Sequence, residues 1–264
     1  MFGIKDKSLD NENIKCPPDN EPYTIINALF TKNHEISVNS LSLTILELIK
    51  NNQIKCEINL NESYSLGSMS TQDDTDVMKN ITLRIANKGE LKTSESLAIS
   101  LLKSMNKNKK FTLKDIVKQS NITSIANNFE KDFFEYVKGL KNENNYDSKD
   151  YNDILVNGKL ADNFKKEWKN FKEYLLSDEL TSKYPPESVD ENSSQIIYAA
   201  VFDIEKEALK LRQNNSTLID FIDKDGYKLL NIIFNNALSN VSEKRKGDGI
   251  FYGVNDKYTI PGGG

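Results

Sequence analysis

Two short stretches of strict alternation constrain this chain most. Ile54, Cys56, Ile58 and Leu60 alternate with Lys55, Glu57 and Asn59, and Ile81, Leu83 and Ile85 alternate with Thr82, Arg84 and Ala86. A period of two puts apolar side chains on one face and polar ones on the other, the signature of a half-buried strand. Between them, Asn61 to Lys79 is polar and carries Gly67, which predicts a hairpin with a long tip. Elsewhere the apolar residues recur at helical spacing. The expected fold class is therefore mainly α with small β hairpins.

The helical pattern is broken at definite places. Cys16-Pro17-Pro18 and Pro22 end a polar leader, because a proline disfavours the α region for its predecessor and suits the first helical turn. A short helix is expected from Pro22, with Tyr23, Ile26, Leu29 and Phe30 on one side. A second is expected from Asn39 or Ser40 to Lys50, its stripe formed by Leu41, Ile45, Leu48 and Ile49. Helix, turn, helix and a two-stranded ribbon is the order of a winged-helix unit, with the second helix as nominal recognition helix. A weaker second version follows. Thr93 or Ser94 caps a helix carrying Leu97 to Met105, Phe111 leads into a short helix with Leu113, Ile116 and Val117, and a longer helix runs from Ser124 to Leu140.

The Asn-, Asp- and Lys-rich stretch Lys141 to Asp153 marks a surface hinge. Beyond it, Phe164, Trp168, Phe171, Tyr174 and Leu175 share a helical face, so the single tryptophan is expected in the core. Tyr184-Pro185-Pro186 interrupts the chain, and two helices follow, one through Ile196, Ile204 and Leu211, the other through Ile219, Leu229 and Leu238. The expected organisation is a leader over 1–20, a winged-helix-like domain over 21–87, a second helical and winged-helix-like unit over 88–145, a helical subdomain over 146–245 and a Gly-rich flexible tail over 246–264.

Composition narrows the function classes. Of the 264 residues 38% are hydrophobic, enough for a folded core. The formal charge of -4 disfavours nucleic acid, since a net acidic surface repels a phosphate backbone. Arg84, Arg212 and Arg245 are the only guanidinium groups, so bidentate clamps for phosphate or carboxylate are few. With one histidine, His34, and two cysteines, Cys16 and Cys56, outside any CxxC pair, no zinc set can be assembled and a disulfide framework is not expected. The start lacks the basic and apolar regions of a signal peptide, and no run reaches the roughly twenty apolar residues of a spanning helix.

Candidate chemistry is sparse. Gln72-Asp73-Asp74-Thr75-Asp76 clusters carboxylates that could hold a hard cation, but EF-hand spacing is missing and a solvated wing tip explains it better. Asp220, Asp223 and Asp225 before Gly226 offer paired carboxylates without a nucleophile or histidine, and read better as a helix kink. The basic run Lys103 to Lys110 could touch anionic lipid or phosphate, and reads first as a solvated helix end. No catalytic, cofactor-binding or metal-binding residue is assigned, and no cofactor is expected.

Three patterns in order along the chain carry a resemblance. They are Cys16-Pro17-Pro18 followed by Leu43 to Lys50 and the strand Ile54 to Leu60, the stretch Trp168 to Leu175 after Gly158, and Ile197 to Phe202 with the distant Pro261 to Gly264. Together they resemble the YciQ-like family of predicted membrane proteins of unknown function, although Asp203 stands where that family usually has Gly. The resemblance implies the cytoplasmic region of a membrane-anchored protein whose anchor lies upstream. It carries no catalytic residues. The function expected is a non-catalytic interaction domain binding an unknown protein partner, with a winged-helix DNA-binding regulator as the alternative. The oligomeric state is left open.

Overall fold

The computed structural model describes residues 17, 23, 39–59, 73–86, 89–105, 108–117, 162–211 and 216–242, with side chains undescribed at 73–76, 105, 162–165 and 235–242. The leader apart from Pro17, most of the helix expected from Pro22, the helix expected from Ser124, the hinge and the tail lie outside these residues.

The described residues are mainly helical with one small antiparallel sheet. Along the chain run α1 (Asn39–Lys50), β1 (Ile54–Ile58), α2 (Asp73–Asn80), β2 (Ile81–Ile85), α3 (Thr93–Met105), β3 (Lys110–Thr112) and α4 (Leu113–Val117). The second half holds α5 (Asp162–Leu176), α6 (Asp178–Lys183), α7 (Val189–Val201), α8 (Glu205–Lys210), α9 (Thr217–Asp223) and α10 (Gly226–Ser242). Both alternating stretches are strands, and they pair antiparallel with Ile54 opposite Ile85 and Ile58 opposite Ile81.

Three expectations need correction. The segment before β2 is not all loop, because Asp73–Asn80 is a helix that runs directly into the strand. Val77 and Met78 are buried there, and α2 packs on α4 and α10, so tertiary burial outweighs the polar composition. Asp73, Asp74 and Asp76, read as a wing tip, therefore belong to the start of a helix. Next, Lys110–Thr112 forms a third strand, pairing Leu83 with Phe111. Three residues are too few to show a period.

The last correction concerns the C-terminal half, where two expected helices are four. α7 ends in a Schellman turn: Ile204 N donates to Ala199 O and Asp203 N to Ala200 O, with Asp203 at φ 56°. A second break separates α9 from α10 at Asp225, φ 61°. Apolar periodicity runs through both breaks because each turn keeps the following helix on the same core.

α1 is the centre of the molecule. It packs against α3, α7, α9, α10 and β1, and Leu43, Ile45, Leu46 and Leu48 are fully buried. Its end is set by Asn52 in the left-handed region, with Gln53 N donating to Leu48 O. Glu95 ties that end to α3, accepting from Lys92 N at 2.8 Å and from Asn51 Nδ2 at 3.1 Å. Apart from Ile219, the buried apolar residues from Leu41 to Ile116 and from Trp168 to Phe234 form one contiguous cluster. Trp168 is wholly buried, in edge contact with Phe171 and beside Tyr198 and Phe202.

Serines and a threonine cap four other helices. Ser177, Ser188 and Ser216 each accept a backbone N–H from the first turn of α6, α7 and α9. Thr112 and Asp115 form a reciprocal capping box at α4, with bonds of 2.8 and 3.2 Å.

Candidate functional site

The helix expected to read bases cannot do so. Ser42 is 0% and Thr44 2% exposed, and Thr44 Oγ1 donates back to Ser40 O. Glu47 accepts from Lys92 Nζ at 2.6 Å, and Lys50 reaches Asp190 of α7 at 3.2 Å. The polar face of α1 thus holds neighbouring elements together instead of facing solvent.

The carboxylates considered for acid and base work do not converge. Asp225 is buried and paired with Lys206 at 3.0 Å. Lys206 Nζ also donates to the backbone oxygen of Asp223, whose exposed carboxylate lies 3.7 Å from Lys224. Asp220 is exposed. These contacts close the turn between α9 and α10, which accounts for Asp223 and Asp225 before Gly226. Among the described residues no group of three metal-ligating side chains comes together.

Two arrangements concentrate polar chemistry. The first is the outer face of the sheet. Alternation sends Ile54, Leu83 and Phe111 inward and Lys55, Arg84 and Lys110 outward. Register then places Lys55 opposite Arg84, and Arg84 opposite Lys110, so three cations stand in one row across three strands. Like charges directly opposite each other destabilise a sheet. Glu57 offsets part of this, accepting from Lys110 Nζ at 2.7 Å across β2. That hydrogen bond, the Lys110 charge and the nearby Arg84 and Lys55 hold the Glu57 carboxyl below the usual carboxylate range. The group of four keeps a surplus of positive charge.

The second arrangement is an acidic corner where α7, α8 and α10 meet. Burial pushes the Glu205 carboxyl up to about 7, the Asp203 and Glu207 charges add to the rise, and Glu205 Oε2 has no hydrogen-bond partner. Asp203 keeps much of its surface in solvent, yet loss of water still raises its carboxyl, with Lys172 opposing. Tyr227, buried below, donates to Ala200 O at 3.3 Å, and its phenol is pushed up by burial. Asn231 Oδ1 nearby is likewise unsatisfied. A carboxylate can only accept: the Glu205 backbone N–H supplies one donor, but Oε2 has none, whereas a protonated carboxyl carries its own.

Part of the first arrangement was legible in sequence, since alternation alone turns Lys55, Glu57 and Arg84 outward. The register and the third strand that bring Lys110 to them were not. Nothing local marked Glu205, a glutamate in a polar stretch whose environment comes from α7 and α10.

These features define a mainly α protein whose small antiparallel sheet presents a basic outer face. Comparison with known protein families, with curated proteins and with solved structures finds no match for the chain.

Proposed function

We propose that this chain is a non-catalytic interaction module. What carries the reading is the outward row of Lys55, Arg84 and Lys110, an electrostatically unfavourable arrangement for a sheet left to itself. Departures from local stability rules concentrate at functional sites. The candidate carboxylates, by contrast, close turns and join helices. On the resemblance described above, the module belongs to the cytoplasmic side of a membrane-anchored protein. None of the described helices is long and apolar enough to cross a membrane. A winged-helix unit remains part of the proposal only as element order, since helix α2 stands between the paired strands.

The test is site-specific photo-crosslinking in the native cell. A photoreactive residue at exposed positions such as Asn59, Glu179 and Lys210 is expected to give discrete adducts with a protein partner from at least one position. No adduct from any position refutes the module, and turnover of a small-molecule substrate by the purified chain refutes it independently.

A further inference from the structure

We propose that the outer face of the three-stranded sheet is the docking site for an acidic segment of a partner protein, whose carboxylates meet Lys55, Arg84 and Lys110. The inference rests on the interaction-module reading and specifies its surface and the chemistry of its partner.

The argument is charge complementarity at a defined spacing. Neighbouring strands lie about 4.8 Å apart, so the row from β1 to β3 spans about 10 Å. That length matches a few carboxylates on one polypeptide segment. Lys110 is 58% exposed in its side chain and Glu57 44%, so their ion pair is open to exchange with solvent and ligand. Glu57 marks what the face accepts: its own carboxylate is bound by Lys110 and favoured by Arg84 and Lys55. An incoming carboxylate would take Lys110 from Glu57 or sit beside the pair on Arg84 and Lys55.

A nucleic acid fits less well. Sheet surfaces that hold single strands stack bases on aromatic side chains. The outward positions of the described strands carry Lys, Glu, Thr and Arg, and no aromatic. The chain's net charge of -4 also repels a long polyanion at distances beyond the row itself.

The experiment measures fluorescence anisotropy of a labelled oligoglutamate peptide with the full chain. Binding is expected at low ionic strength, weakening several-fold as the Debye length falls from about 14 to about 7 Å. The variant Lys55→Ala/Arg84→Ala/Lys110→Ala, checked for its helical circular dichroism, is expected to bind at least about tenfold more weakly. Glu57→Gln removes the internal competitor and is expected to bind more tightly, a gain that a purely structural role for Glu57 does not predict. Arg84→Thr alone is expected to raise the urea midpoint while weakening binding, because it relieves the like-charge contacts.

No binding of oligoglutamate overturns the inference. So does equal binding by the triple variant, or tighter binding of a thymidine oligonucleotide or of phosphatidylserine vesicles. If crosslinked adducts form in the cell but the peptide fails, the sheet face falls and the module stands. If no adducts form, the module reading falls first.

Discussion

Glu205→Gln is the perturbation that most directly probes the acidic corner. In the folded chain the Glu205 carboxyl titrates at about 7 instead of 4.5, chiefly through burial. The fold therefore binds this proton more tightly than the unfolded chain does. Its contribution is fully present below about 4.5, where both states are protonated, and is lost as pH rises to about 7. A shift of that size corresponds to about 3 kcal/mol, a large part of the stability of an ordinary domain. Glutamine imitates the protonated carboxyl and cannot ionise. It is expected to exceed the parent by about 1 kcal/mol or less at pH 5 and by up to about 3 kcal/mol at pH 8. Urea unfolding at both pH values, read from midpoints at unchanged slope, supplies the comparison. Other titrating groups cancel because parent and variant are compared at the same pH. Asp203, raised in the same direction, contributes to the parent's slope but not to this difference unless the two carboxyls couple, which Asp203→Asn/Glu205→Gln isolates. An equal parent-to-variant difference at pH 5 and pH 8 would refute the buried, proton-holding carboxyl.

Gly226→Ala is expected to cost about 1–3 kcal/mol, because a Cβ there would lie 2.4 to 2.7 Å from the buried Phe221 ring; thermal unfolding reads the loss, and Phe221→Leu in the same chain is expected to recover part of it. Asp203→Gly is expected to stabilise by about 0.5–1 kcal/mol, since glycine adopts φ 56° without the Cβ clash, and by more at pH 8 than below the ordinary carboxyl value of 3.8, because a raised carboxyl is removed. A denaturation midpoint that falls instead would show that the Asp203 side chain supports the turn. Burial, with Asp220 and Glu57 adding to it, pushes the Cys56 thiol up to about 12. In a Cys16→Ala background at pH 8 that leaves about a thousandfold less thiolate than in the unfolded chain, so a disulfide reagent is expected to label Cys56 only on addition of denaturant.

The sequence alone determined the elements with a clean period and a clear stop. α1 was legible because Leu41 to Ile49 makes a wide apolar stripe ending at two asparagines, and its turn uses one of them, Asn52, at positive φ. The two five-residue strands were legible because alternation needs no knowledge of the partner. Trp168 was legible as core because Phe171, Tyr174 and Leu175 share its helical face. Tertiary structure decided the rest. α2 and β3 exist because neighbours bury Val77, Met78 and Phe111, a benefit that no local pattern encodes. The breaks at Asp203 and Asp225 depend on single residues in the left-handed region, which leave apolar spacing nearly unchanged. The basic row and the acidic corner follow the same logic. Charge and proton affinity depend on distances between groups far apart in the chain, and only strand register and helix packing set those distances.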